Sequence, residues 1–184
     1  MGNVVPNVVP TNPPSRTATI YSGNSAGSGR TCGDQPQIAV ENLMDGARIA
    51  FEPFVDEGTR RFIVDGVDMY NISVTGMPEY APVNFVLRGE QGDPLGGLLG
   101  QLWGGWLQVS YLWVSAAARG QGYGTRLLSN AHDYARSRGA LGAALETFSF
   151  QARPFYERFG YELCGTIEGY PPGHTKFFLR KSPL

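Results

Sequence analysis

The segment RGQGYGT at residues 119–125 has the composition of an anion-binding turn. Its glycines, Gly120, Gly122 and Gly124, let the backbone turn tightly and bring several N–H groups to face one point. A helix that begins in this turn adds about half a positive charge at its N-terminus. The segment therefore predicts a binding site for a pyrophosphate.

Two widespread phosphate-binding motifs do not fit this turn. The dinucleotide fingerprint Gly-x-Gly-x-x-Gly requires a third glycine at position 125, where the chain has Thr125. The P-loop ends in Gly-Lys-Ser/Thr, and the turn contains no lysine. The pattern that fits is Arg-x-x-Gly-x-Gly, formed by Arg119, Gly122 and Gly124.

Two elements must hold the turn in place. The apolar run WLQVSYLWVS at residues 106–115 predicts a strand before it. After it, Gly139 is suited to end a helix. The helix is predicted by apolar side chains that fall on one stripe at helical spacing. The stripe consists of Leu127, Leu128, Ala131 and Ala135, with Tyr134 at its edge.

The rest of the pattern predicts a mixed α/β (α+β) sheet with helices beside it. A helix over residues 55–73 is expected although Gly58 and Gly66 each weaken it by about 1 kcal/mol. The element order is β, α, three β, α, β, α, β, β. The other predicted strands cover residues 47–54, 83–89, 95–103, 140–148, 161–170 and 175–182, and a short helix covers 151–159.

Length and composition predict one folded domain. The chain has 184 residues, 42% of them hydrophobic, which suffices for a single core. We expect the domain at residues 47–181. Residues 1–37 are rich in Asn, Pro, Ser, Thr and Gly without apolar periodicity, which predicts a disordered or loosely ordered tail.

Charge and cysteine content limit the classes of partner and compartment. A net charge of -1 gives no support for a nucleic-acid partner. No window resembles a signal peptide or a membrane span, and the two cysteines, Cys32 and Cys164, lie far apart, so we expect a soluble cytoplasmic protein. Two histidines and two dispersed cysteines match no metal-ligand spacing, and no metal is expected.

A second block, SFQARPFYERFGY at residues 149–161, adds to the glycine turn. Together the two blocks resemble the GNAT acetyltransferase superfamily over about residues 47–181. The second block of that family has an alanine four positions before a Tyr-Glu-Lys/Arg-x-Gly-Phe/Tyr run. The matching residues here are Ala152, Tyr156, Glu157, Arg158, Gly160 and Tyr161. YLWV, RGQGYG, ETFSFQA, YPPGH and FLRK are similar to a bacterial group within it.

The resemblance implies a GNAT fold: a mostly antiparallel central sheet, flanked by helices, whose fourth and fifth strands splay apart to admit acetyl-CoA as cosubstrate. Strand backbone would bind the pantetheine arm and the turn would bind the pyrophosphate. Plain core packing is the alternative for the Leu112 and Trp113 side chains. The implied cofactor-binding residues are Leu112, Trp113, Val114, Arg119, Gly120, Gln121, Gly122, Tyr123, Gly124, Thr125, Ser149 and Phe155.

Two side chains are candidates for catalysis. Tyr156 matches the family's tyrosine, and a phenol near pKa 10 can donate a proton to a thiolate whose conjugate acid is near 8.5; packing beneath the cofactor is its alternative. Where an acidic residue is expected on the fourth strand the chain has Ser110. Glu146 is the best remaining carboxylate for a general base; its alternative is a solvated or salt-bridged residue at the end of a strand. His174 could shuttle a proton or act structurally.

Two functions remain open. The first is an N-acetyltransferase that moves an acetyl group from acetyl-CoA to a primary amine, on a small molecule or a peptide, by direct attack in a ternary complex. The second is a catalytically weak GNAT-fold module that binds CoA as a sensor or interaction protein. Ser110 favours the second function and Tyr156 favours the first. A homodimer is compatible with the apolar segment Phe177, Phe178 and Leu179, which could equally belong to the core.

Overall fold

A computed structural model describes residues 41–42, 46–77 and 80–184. The predicted tail, residues 1–37, lies outside the described residues. The helices and strands are β1 Glu41–Asn42, β2 Arg48–Ile49, α1 Glu57–Thr75, β3 Ala81–Arg88, β4 Pro94–Trp103, β5 Trp106–Val114, α2 Tyr123–Ser137, β6 Gly142–Phe148, α3 Arg153–Glu157, β7 Glu162–Glu168 and β8 Thr175–Lys181.

The chain divides into two units, of which the first includes described residues up to Tyr70. In it, β1 and β2 form a two-residue antiparallel pair. The predicted strand over residues 47–54 is therefore wrong beyond Arg48–Ile49, because a strand extends only as far as its partner. The predicted helix is confirmed: Asp56 accepts hydrogen bonds from Thr59 N at 3.0 Å and Thr59 Oγ1 at 2.6 Å, a helix cap that lowers the Asp56 pKa.

The second unit contains a six-stranded sheet in the order β3-β4-β5-β6-β8-β7. All neighbouring strands are antiparallel except β5 and β6, which are parallel. The sheet confirms the predicted mixed and mostly antiparallel architecture. The β4–β5 hairpin turns on Gly104 and Gly105, with φ of 59° and 75°, as a two-residue loop with two left-handed positions requires.

The core of this unit lies between the sheet and α2, which packs against β3, β4 and β5. The predicted stripe is buried as expected, and Tyr134 is at its edge with 39% exposed. His132 is also buried on α2, which the apolar pattern did not predict. Its Nε2 lies 2.9 Å from the Tyr161 hydroxyl, so this polar ring is hydrogen-bonded inside the core.

Candidate active site

The sheet opens between β5 and β6. The two strands pair from Trp106↔Gly142 to Val109↔Leu145, but β5 continues to Val114 and β6 to Phe148. At this point β5 carries a bulge: Leu99 pairs with Tyr111 and Gly100 with Val109, so Ser110 has no partner on β4. A bulge bends the strand that carries it. These are the fourth and fifth strands of the predicted fold, and they are parted where the resemblance implied.

The bulge depends on close approach of the backbones of β4 and β5. A Cβ added at Gly100 would lie 2.6 Å from the Gln108 carbonyl oxygen, which is closer than atoms can pack. Glycine at this position therefore lets β4 pass the bulged strand. Ser110 is buried, with 8% of its surface exposed.

The glycine turn places the start of α2 beside this opening. Gly120 and Gly122 have φ of 80° and 76°, the left-handed region that glycine adopts without strain. Arg126 N is bonded to Gly122 O, which leaves the amides of the preceding first-turn residues without partners inside the helix. A Cβ at Gly120 or Gly122 would meet no atom within 4 Å. The turn therefore presents amides to open space, as an anion site requires.

Arg119 has a structural contact in this turn. Its Nε donates to the Val114 carbonyl oxygen at 2.9 Å, which ties the turn to the end of β5. The turn itself holds the preorganised amides, and the Arg119 side chain fixes its start.

A groove of about 340 Å³ runs along the turn and the end of β5. Most of the predicted cofactor-binding residues line it together. Two lining residues were not assigned to the site from the sequence, Ala118 and Arg158; the Lys/Arg position of the second block was the available signal for Arg158. The lining residues are Leu112, Trp113, Val114, Ala118, Arg119, Gly120, Gly122, Tyr123, Gly124, Thr125, Phe155 and Arg158.

Two predicted residues, Gln121 and Ser149, are not among the described residues that line this groove. Gln121 is exposed within the turn. Ser149 lies in the loop after β6, where its Oγ accepts from Thr175 N at 3.2 Å and lies 3.3 Å from His174 Nδ1. These contacts give Ser149 and His174 a structural role between two loops.

Tyr156 is fully buried on α3, with 0% of its surface exposed. Its ring packs edge-on against Phe155 and Tyr161, and burial raises the pKa of the phenol. The hydroxyl has no hydrogen-bond partner among the described residues, although buried hydroxyls are nearly always paired. The burial of the ring favours a packing role for Tyr156. The unpaired hydroxyl favours a role as a hydrogen-bond or proton donor to a bound ligand.

Glu146 is the first residue of β6 beyond its last pair with β5. Its Oε2 forms an ion pair with Lys176 Nζ from β8. A salt bridge was one of the alternatives predicted for Glu146. Nothing in the local sequence pattern indicated that Lys176 would be its partner. The pair therefore joins a buried ammonium to a partly exposed carboxylate beside the opening in the sheet.

Two features are absent from the described residues. None of their helices is long and apolar enough to cross a membrane. They contain no group of three or more His, Cys, Asp or Glu side chains positioned to hold a metal ion. Leu179, in the segment considered for a dimer, lies in the core.

The family model of the acetyltransferase (GNAT) family matches residues 51–161. The chain belongs to the GNAT acetyltransferase family. It is therefore an acyltransferase enzyme, as predicted, and its mostly antiparallel sheet with flanking helices is that of the GNAT fold.

Relatives and solved structures agree with this assignment. Over 94 residues, covering 50% of this chain and 69% of the relative, the sequence is 48% identical to blasticidin-S acetyltransferase from Streptomyces morookaense. Over 126 residues, covering 68% of this chain and 92% of the relative, it is 33% identical to the acetyltransferase Atu2258 from Agrobacterium fabrum. An acetyltransferase structure from Bacillus cereus has a TM-score of 0.63 and 30% identity, covering 72% of this chain and 97% of that one.

Proposed function

We propose that this GNAT enzyme transfers the acetyl group of acetyl-CoA to a primary amine by direct attack in a ternary complex. The observation that carries the proposal is the opening between β5 and β6 next to an amide-lined turn. The opening exposes strand backbone that can pair with an extended ligand. The turn offers amides to a diphosphate.

The groove residues fit the parts of acetyl-CoA. Amides from Gly120 to Thr125 would hold the pyrophosphate, and the Arg158 guanidinium lies in the same groove as an additional cation. On β5, residues 112–114 pair with β4 on one side only, so their other edge can bind the amides of the pantetheine arm. Acetyl-CoA supplies a thioester whose carbonyl carbon is the electrophile.

Tyr156 is the proposed general acid. Its hydroxyl is the buried donor without a protein partner, and the group it would serve is the departing thiolate sulfur. Because burial raises the pKa of the phenol, Tyr156 stays protonated at neutral pH. It therefore remains a donor throughout the working pH range.

Glu146 is the proposed base for an acceptor that arrives protonated. A lysine-type amine near pKa 10.4 must lose a proton at pH 7 at a cost of about 4.6 kcal/mol, whereas an α-amino group near 7.8 is already more than a tenth neutral. A carboxylate at the opening is useful for the first kind of acceptor and dispensable for the second. Ser110 cannot serve in its place, because a hydroxyl is not a base at this pH.

The acceptor class is a small molecule or peptide with a primary amine. The 48% identity to blasticidin-S acetyltransferase makes blasticidin S the first acceptor to try. Spermidine, lysine and a short peptide with a free N-terminus complete a panel that separates aliphatic side-chain amines from α-amino groups.

Thermal unfolding with ligands tests the cofactor assignment. Acetyl-CoA or CoA at a hundredfold excess over its dissociation constant stabilises the folded state by about 2.7 kcal/mol, and ATP at the same concentration is the control for a general phosphate effect. Mass spectrometry of the amine panel then detects acetylated product. Stabilisation by acetyl-CoA with no product from any amine would contradict the proposed transfer.

Tyr156→Phe tests the general acid. The variant removes one unpaired hydroxyl from the core, so its free energy of unfolding is expected to stay equal or rise. The rate of transfer is expected to fall about a hundredfold, the lower range for loss of a positioned acid, while acetyl-CoA affinity is unchanged. Equal rates in wild type and variant would show that the ring only packs.

A further inference from the structure

Lys176 is a lysine in an unusual position. The chain contains two lysines, Lys176 and Lys181, against 13 arginines, and both lie on β8. Lys181 is partly exposed, whereas Lys176 has 5% of its surface exposed. A buried ammonium loses its hydration, and only close charged or polar partners offset that loss. Its surroundings must therefore be built to hold a cation.

One carboxylate and three aromatic rings surround the Lys176 ammonium. Nζ forms the ion pair with Glu146. It also lies 5.2 Å from the ring centre of Phe178, 5.5 Å from Tyr170 and 5.9 Å from Phe148, within the range of cation–π attraction. A compact ammonium fits such an enclosure better than a planar guanidinium does.

Strand register brings the two charges together. β6 and β8 are antiparallel with Glu146 opposite Phe178, so Lys176 is the diagonal neighbour of Glu146 on the same face. The last β5–β6 pair is Val109↔Leu145, which puts the ion pair at the point where the strands part. The β5 residue that follows this pair is Ser110, which does not titrate.

The ion pair engages only part of the carboxylate. Oε2 is buried against Lys176, whereas the Glu146 side chain as a whole is 24% exposed. The contact to Lys176 thus leaves Oε1 available for a second partner. The other titratable groups near this enclosure come from the loop between β7 and β8: Tyr170, and His174, whose ring lies 4.8 Å from that of Phe150.

We propose that Lys176 is a positioning residue that holds the Glu146 carboxylate turned so that Oε1 can take a proton from the acceptor. This inference rests on the proposed function. An N–H bond of the acceptor ammonium breaks and an Oε1–H bond forms. The freed nitrogen lone pair attacks the thioester carbonyl carbon and forms the C–N bond. The electron pair of the broken C–S bond leaves with the sulfur, which takes its proton from Tyr156. The second proton that the nitrogen loses on becoming an amide returns to the Tyr156 phenolate through solvent.

The test is a double-mutant cycle with Lys176→Met, Glu146→Gln and the combined variant. The control is Lys181→Met, the same change on the opposite face of the same strand. The assay measures kcat and KM from pH 6 to 9, with acetyl-CoA and the panel amine of highest turnover.

If Lys176 acts through Glu146, Lys176→Met lowers kcat about tenfold or more and leaves the KM for acetyl-CoA unchanged. The combined variant is then no slower than Glu146→Gln alone. Lys181→Met behaves as wild type.

Losses that multiply in the combined variant, or a Lys176→Met variant whose kcat equals that of wild type, would overturn the inference. Should Lys176→Met fail to fold, the combined variant still serves, because it leaves no unpaired buried charge. Its kcat is then compared with that of Glu146→Gln. Wild-type protein that acetylates no panel amine refutes the proposed function, whereas an active wild type with multiplying losses refutes only the role of Lys176.

Discussion

Gly122 and Gly139 allow the pyrophosphate site to be tested at the two ends of one helix. Gly122 precedes α2 with φ of 76°, Gly139 follows it with φ of 78°, and a Cβ at either position would meet no atom within 4 Å. Alanine therefore has about the same cost at both, roughly 1–2 kcal/mol for the left-handed conformation. Alanine also restricts the unfolded chain more than glycine does, and this stabilises the folded state by about 0.4–1 kcal/mol. Both variants should lose on the order of 1 kcal/mol of unfolding free energy.

Of these two glycines, Gly122 lines the groove and Gly139 does not. A methyl group there occupies the space in which phosphate oxygens would approach the amides of the first turn of α2. Loss of one charge-assisted hydrogen bond is worth about 1.5–3 kcal/mol. The acetyl-CoA dissociation constant of Gly122→Ala is therefore expected to rise about ten- to a hundredfold, and that of Gly139→Ala to stay at the wild-type value.

Calorimetric titration with acetyl-CoA gives the affinities, and thermal unfolding without ligand gives the stabilities. Both variants are expected to melt about 2–4 °C below wild type. Equal acetyl-CoA affinity in the two variants, at equal loss of stability, would refute the assignment of the turn as the pyrophosphate site. Weaker binding in both would mean that the affinity depends on helix stability rather than on the space at Gly122.

Two predictions concern the scaffold of the site. Burial lowers the pKa of His132 from 6.5 to about 4, and the nearby cations Lys181 and Arg136 add to the effect. The unfolded chain therefore takes up this proton at a higher pH than the folded protein does. As the pH falls from 6.5 toward 4, the free energy of unfolding is expected to decrease by about 3 kcal/mol. Urea unfolding at pH 7 and pH 4.5 should show a smaller loss for His132→Gln than for wild type; equal losses would contradict this. Gly100→Ala is expected to destabilise the fold by about 1–3 kcal/mol, because its Cβ would overlap the Gln108 carbonyl oxygen. Gly66→Ala, where a Cβ meets no atom within 4 Å in helix α1, is the control and should not lower stability.

The features that the sequence predicted correctly are those encoded by neighbouring residues. The glycine turn, the stripe on α2 and the β4–β5 hairpin each depend on spacing over fewer than about 15 residues, where periodicity and turn chemistry act directly. The strand expected at residues 47–54 was wrong for the converse reason. Alternation shows that a segment could be a strand, but its length is set by the partner, and β1 offers only two residues.

The charges at the opening in the sheet show where local patterns stop being informative. Glu146 and Lys176 are 30 positions apart, and they meet because β8 lies antiparallel to β6 with Phe178 opposite Glu146. A shift of one residue in that register would move Lys176 to the other face of the sheet. Register therefore decides whether Glu146 is an isolated carboxylate or one member of an ion pair with the buried Lys176. The pairing of β5 with β6 ends at Val109 and Leu145, so strand pairing decides both where the sheet opens and which charges lie beside the opening.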